Sequence, residues 1–310
     1  MTDLAFLFPG QGSQYVGMGK LLAEQYPVAA GVFKEADEAL QFPLSRLCFE
    51  GPEEELRKTE NQQPALVAVS AAAFAVLTEH GFHPDIVAGH SLGEYSALCA
   101  AGAISFGDTL RLVRKRGQYM QQAVLPGVGA MAALLKLPEG KLPEILAEAA
   151  EGEIVAAANF NSPEQVVIAG HAGAVGRAME LAKKVGAKRA VALPVSAPFH
   201  CPLMRPAQEQ MAAELQAIAF QDLRTPLINN WQAREVTMGA EARQGLFEQI
   251  PNPVRWTDTI RLLARKGVKR FVEVGAGGVL TGLCRSIEPG LTGAKFGEPS
   301  DLDKVKALPA

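Results

Sequence analysis

Ile86-Val87-Ala88-Gly89-His90-Ser91-Leu92-Gly93-Glu94-Tyr95 is the stretch on which the fold turns. Its first three residues are continuously apolar, the signature of a short strand buried on both faces. Two glycines then bracket a serine, and a helical pattern begins near Glu94. A strand that reverses this tightly into a helix strains its central residue and lifts that side chain clear of the sheet edge. The helix N-terminus behind Ser91 favours negative charge developing there. Ser91 is a candidate nucleophile, with an ordinary tight turn as the plain alternative.

The same strand-to-glycine pattern recurs at both ends of the chain. Leu4-Ala5-Phe6-Leu7-Phe8 is a buried strand running into Pro9-Gly10-Gln11-Gly12-Ser13-Gln14, and Arg270-Phe271-Val272-Glu273-Val274 is another, ending in Gly275-Ala276-Gly277-Gly278. Ala65 to Leu77, flanked by Pro64 and Glu79, is an alanine-rich core helix, too short for a membrane span. Strands alternating with helices predict a mostly parallel α/β sheet.

From Gly127 to Ala197 the pattern changes. Ala130 to Leu135 is a strand and Leu142 to Ala150 a helix. Ile154 to Asn159 and Gln165 to Ala169 are strands joined by the turn Phe160-Asn161-Ser162-Pro163. Ala174 to Val185 is a helix and Arg189 to Leu193 a last strand. The order βαββαβ is that of a split, ferredoxin-like unit. The chain thus divides into a discontinuous, α/β-hydrolase-like body over residues 1–126 and 197–310, with a small ferredoxin-like domain over 127–196 inserted into it.

Composition narrows the function. The 310 residues are 48% hydrophobic and carry a net charge of −3, so no global field draws the protein to nucleic acid or to anionic lipid. Four dispersed cysteines, Cys48, Cys99, Cys201 and Cys284, argue for reduced thiols rather than disulfides or a zinc site. The start Met1-Thr2-Asp3-Leu4 lacks the basic flank of a secretion signal, so a cytoplasmic protein is expected.

An acyl-transferring serine needs an oxyanion hole of two N–H groups, one usually from the residue after the nucleophile. Leu92 supplies that one, and the loop Gly10-Gln11-Gly12 is placed to supply the other. That loop lacks the Gly-Lys-Ser/Thr ending of a phosphate loop, and Tyr15 stands where a dinucleotide fingerprint needs glycine.

Serine also needs a base, most often histidine. Of five histidines, His80 and His83 precede the strand at Ile86, His171 lies in the inserted domain, and His90 should point away from its neighbour Ser91. His200 remains, in Ser196-Ala197-Pro198-Phe199-His200, where the chain re-enters the main body. A core or surface histidine is its plain alternative. No carboxylate between Ser91 and His200 is an evident orienter, since Asp108 has the position of a helix N-cap. A backbone carbonyl could serve instead, giving a Ser–His dyad.

Ser105 to Ala123 reads as a helix with an apolar seam of Leu110, Val113, Gly117 and Met120. At about 100° per residue, Arg116 lies roughly 80° from the seam centre, as does Arg114 on its other side, both nearer than Arg111 or Lys115; Arg116 is the candidate to turn inward. An inward arginine suits a planar anion such as a carboxylate. The alternative is an arginine snorkelling from the helix edge.

Taken together, Phe8-Pro9-Gly10-Gln11-Gly12-Ser13-Gln14, Gly89-His90-Ser91-Leu92-Gly93-Glu94-Tyr95, Arg114-Lys115-Arg116-Gly117, Pro198-Phe199-His200 and Asn252-Pro253-Val254-Arg255-Trp256 resemble the malonyl-CoA:acyl carrier protein transacylases of fatty acid synthesis and, more distantly, polyketide synthase acyltransferase domains. The resemblance implies Ser91 as nucleophile, His200 as base, the carbonyl of Gln249 as its orienter, the amides of Gln11 and Leu92 as oxyanion hole, and Arg116 as clamp for the malonyl carboxylate. Phe199 resembles the malonyl-selective version. Ala276 departs from the proline that relatives often carry after that glycine.

The implied chemistry is ping-pong transfer from malonyl-CoA to the phosphopantetheine thiol of acyl carrier protein, without metal or bound cofactor. A thioesterase or carboxylesterase, and a non-enzymatic carrier-binding module, are the competing classes. Carrier proteins are acidic, which makes Lys188, Arg189 and Arg285 candidate docking residues. No nucleic acid or membrane partner is expected, and a monomer is.

Overall fold

The computed structural model describes residues 3–195 and 197–309. Met1 and Thr2 of the expected leader-free start, and Ser196 at the expected domain border, lie outside the described residues. Ten strands are seen among them: β1 (Leu4–Phe8), β2 (Ile86–Gly89), β3 (Gly129–Leu135), β4 (Val155–Ser162), β5 (Gln165–His171), β6 (Arg189–Ala192), β7 (Leu227–Ile228), β8 (Glu235–Val236), β9 (Arg270–Val274) and β10 (Thr292–Phe296).

The larger sheet has the order β10-β9-β1-β2-β7-β8. All its pairs are parallel except the last, where β8 runs antiparallel to β7. β1 is apolar throughout because both of its faces are covered. Leu4, Phe6 and Phe8 face one core, shared with Leu66, Val69 and Ala73 of the helix Thr59–Glu79. Ala5 and Leu7 face the other, built from Trp256, Ile260 and Leu263 of the helix Trp256–Arg265 and from Leu280 and Cys284. Burying each large apolar side chain stabilises by about 1.5–3 kcal/mol.

The second sheet, β4-β5-β3-β6, is antiparallel throughout. Its two-residue alternation gives each face a different neighbour. Ala132, Leu134 and Ile168 pack on Ile145, Ala149, Val175 and Ala178 of the helices Lys141–Ala150 and Ala172–Lys184. Met131, Ala133, Val167 and Ala169 instead belong to the core of the larger sheet. Val254, two residues before the helix Trp256–Arg265, exchanges backbone hydrogen bonds with Ala158 and Phe160 on β4.

Several boundaries differ from the sequence reading. β4 continues through the expected turn Phe160-Asn161-Ser162, aided by two register shifts, so the connection to β5 is only Pro163-Glu164. Pro64 does not precede the core helix but lies inside it, and the helix starts at Thr59. Ser105, not Asp108, caps the helix Phe106–Gln122; its Oγ accepts from the Asp108 N–H. β7, β8 and β10 were not read from the sequence. Among the described residues no helix is long and apolar enough to cross a membrane.

Candidate active site

β2 ends at Gly89, and the helix Gly93–Ala100 starts four residues later. Between them Ser91 takes a left-handed φ of 52°, a strained conformation for a residue with a side chain. The turn closes only because its flanks have no side chains. A Cβ at Gly89 would stand 2.0 Å from the Gly93 carbonyl, and one at Gly93 2.0 Å from the Phe8 carbonyl oxygen. Asn230, just past β7, holds the strained turn from outside. Its Oδ1 accepts from the Ser91 N–H at 2.7 Å, and its Nδ2 donates to the Gly89 carbonyl at 2.6 Å.

His200 also adopts a left-handed φ, 58°. Its Nε2 lies 2.6 Å from Ser91 Oγ, and its Nδ1 lies 3.0 Å from the Gln249 carbonyl oxygen. That carbonyl can only accept, which assigns the proton to Nδ1 and leaves Nε2 free to receive one. Burial, reinforced by the nearby Arg116 charge, pushes His200 down to about 3, so the ring is neutral. His90 turns away, as expected. Its Nε2 is 2.8 Å from Asn161 Oδ1 on β4, and its ring stands edge-on to Trp256.

Arg116 is fully buried. Its Nη2 donates to Ser91 Oγ at 3.1 Å and to Gln249 Oε1 at 2.9 Å, and its Nη1 donates to Gln63 Oε1 at 2.9 Å. Gln63 Nε2 also reaches Gln11 Oε1, and Gln11 Nε2 donates to Gln62 Oε1. A line of amides therefore joins the loop after β1 to the guanidinium. Gln11 and Leu92 follow adjacent parallel strands, so both emerge at the carboxyl edge of the sheet beside Ser91. Phe199 is buried next to His200.

The basic candidates lie farther out. Lys188 and Arg189 are exposed, and Arg189 pairs with Leu135 at the far end of β3. The near end, Gly129, touches Pro198; six residues of strand separate the ends by about 20 Å. Arg285 is exposed in the last turn of the helix Val279–Ile287, which starts after the carboxyl end of β9.

Sequence reasoning missed Asn230, Gln63, Glu94 and the Gln249 side chain. Gln249 Nε2 donates to the Ser91 carbonyl at 2.9 Å and to Glu94 Oε2 at 2.7 Å. Their only signal was polarity in buried surroundings. A serine hydroxyl against a neutral imidazole, beside a buried cation, can accept and release an acyl group that bears a negative charge.

The family model for the acyl transferase domain matches residues 5–287. The chain belongs to the acyl transferase domain family. Among similar proteins, the malonyl CoA-acyl carrier protein transacylase of Escherichia coli (strain K12) is 49% identical over 303 residues, covering 97% of this chain and 98% of that one. The crystal structure of an acyl carrier protein S-malonyltransferase from Vibrio cholerae superposes with a TM-score of 0.96 at 46% identity, covering 98% and 99% of the two chains. A type II PKS acyl-carrier protein in complex with its malonyl-transacylase includes a chain with a TM-score of 0.95 and 44% identity, covering 97% and 98%. This acyl transferase thus matches these proteins over nearly their whole length.

Proposed function

We propose that this acyltransferase moves a malonyl group from malonyl-CoA to the phosphopantetheine thiol of acyl carrier protein, through a malonyl ester of Ser91, and so supplies malonyl carrier for fatty acid synthesis. The observation that carries the reading is the convergence of two groups on one oxygen. Ser91 Oγ lies 2.6 Å from His200 Nε2 and 3.1 Å from Arg116 Nη2. A base that removes the hydroxyl proton and a cation suited to a carboxylate meet at the same atom.

Ser91 Oγ attacks the thioester carbonyl while His200 Nε2 takes its proton. The N–H groups of Gln11 and Leu92 receive the negative oxygen of the tetrahedral intermediate. The C–S bond breaks, and coenzyme A leaves as a thiol with the proton from His200. The malonyl carboxylate displaces the neutral acceptors on the Arg116 fork, and Phe199 restricts the space beside it. The carrier thiol then attacks the ester, passes its proton to His200, and Ser91 recovers it. The Gln249 carbonyl orients the imidazole throughout. The scheme calls for no metal and no cofactor beyond the two substrates.

The test incubates labelled malonyl-CoA with the protein, with and without holo-carrier. Label on the protein that passes to the carrier supports the reading. Release as free malonate with the carrier present would make this a thioesterase, and no covalent label would leave a carrier-binding module.

We further read residues 1–126 and 197–310 as an α/β-hydrolase-like catalytic body, and 127–196 as an inserted ferredoxin-like domain. The strand–elbow–helix at Ser91 and the order β4-β5-β3-β6 with two helices on one face support this. Lys188, Arg189 and Arg285 are our candidates for holding the acidic carrier, which would then lie along the small domain with its arm reaching inward. A cytoplasmic monomer with no nucleic acid or membrane partner fits the slight net charge.

A further inference from the structure

Arg116 is a buried cation whose hydrogen bonds, among the described residues, go to the neutral oxygens of Gln63, Ser91 and Gln249. An uncompensated charge in such a place is costly. The anion that answers it is Glu94, in the first turn after the elbow and only 1% exposed. One amide joins the two. Gln249 Oε1 accepts from Arg116, and Gln249 Nε2 donates to Glu94 Oε2. The amide dipole thus lies head to tail between cation and carboxylate.

Among the described residues the surroundings of Glu94 are otherwise neutral. Asn230 offers its backbone N–H to Oε2 at 3.1 Å, and Gln249 comes from the helix Gly239–Gln249. Arg116 is the charge acting on the carboxylate, and Tyr95 is the titratable neighbour that feels it. Burial raises Glu94 to about 7, against the lowering pull of Gln249, Asn230 and Arg116. Its other oxygen, Oε1, makes no hydrogen bond among the described residues. A proton can settle there without breaking any contact of Oε2.

We propose that Glu94 is the resident counter-charge of Arg116, that the malonyl carboxylate takes over this role on binding, and that Glu94 then takes up a proton from solvent. The inference rests on the reading above that Arg116 receives the malonyl carboxylate. With the substrate anion paired directly to the guanidinium, one cation faces two buried anions, and the more weakly held one is neutralised. The O–H bond formed at Glu94 Oε1 consumes one buffer proton, and no other bond changes.

Proton exchange is followed with an indicator dye in weak buffer near pH 7, while Ser91 of the wild type and of Glu94→Gln is loaded from malonyl-CoA. Peptide mass confirms malonyl on Ser91 in the same samples. Wild type should take up a substantial fraction of one proton more per malonyl group loaded than Glu94→Gln. Equal uptake by the two proteins overturns the proposal. Absence of malonyl on Ser91 in wild type would instead sink the underlying functional reading. Should the variant not fold, wild type alone decides. Its malonyl-to-acetyl ratio of kcat/KM should rise as pH falls from 8 to 6, about tenfold for each pK unit of coupling. A ratio flat across that range overturns the proposal.

Discussion

Ser91 and His200 both hold left-handed backbone, at φ 52° and 58°, and their side chains meet at 2.6 Å. Two strained residues aimed at each other are over-determined by their surroundings, since each conformation is costly alone. The constraints are visible: Asn230 clamps the serine turn, and the Gln249 carbonyl clamps the imidazole.

His200→Ala should slow acylation of Ser91 by at least about 10²-fold, the scale for losing a general base. The pH profile gives a second reading. His200 is pushed down to about 3, so its ring is already unprotonated well below the usual histidine range. Acylation should therefore show no inflection near pH 6.5 from this group, and should fall only toward pH 3. Stability follows the same sign. The unfolded chain binds the His200 proton below about 6.5 and the folded one does not, so its contribution is lost as pH falls from there toward 3. Rapid-quench acylation and denaturant titration across pH check both.

Arg116→Ala should cost malonyl transfer roughly 3–5 kcal/mol, the scale for breaking a desolvated ion pair, while acetyl transfer changes little or rises. Parallel kcat/KM values for the two acyl-CoA substrates decide it. Equal losses would make the arginine structural.

Asn230→Ala removes two buried hydrogen bonds that hold the elbow, one accepted from the Ser91 N–H and one donated to the Gly89 carbonyl. Each buried group left unpaired costs about 1–3 kcal/mol. The melting temperature should drop, and kcat should fall while KM for malonyl-CoA stays near its original value, because Arg116, the proposed carboxylate clamp, is untouched. A KM effect without loss of kcat would contradict this role.

The sequence made much of this site legible because its chemistry sits in local patterns. Gly89 to Gly93 follows an unbroken apolar strand, and Arg116 lies closer to its helix seam than Arg111 or Lys115, though no closer than Arg114. What stayed hidden depends on contacts between distant segments. β7 has two residues and β8 two, too few for any periodicity to register. β10, Thr-Gly-Ala-Lys-Phe, carries a glycine and a lysine that weaken its strand pattern. Asn230 and Gln63 look like ordinary polar residues until the fold brings them to Ser91 and Arg116. Pro64 reads as a boundary, yet the helix absorbs it at the loss of one backbone donor.

Reversing Lys188 and Arg189 to glutamate should raise KM for holo-carrier and weaken its salt dependence, while malonylation of Ser91 from malonyl-CoA stays near wild type. Both side chains are exposed and lie at the end of β3 away from Gly129, so the variant should not disturb the site. An unchanged carrier KM would move the docking surface elsewhere.

The most direct test of the account is the mass of the Ser91 peptide after brief exposure to malonyl-CoA in the absence of carrier. The wild-type peptide should gain one malonyl group and lose it when holo-carrier is added, and the Ser91→Ala protein should gain none. Covalent malonyl on the Ser91→Ala protein, or an unmodified wild-type peptide under conditions where transfer proceeds, would contradict a serine-borne intermediate.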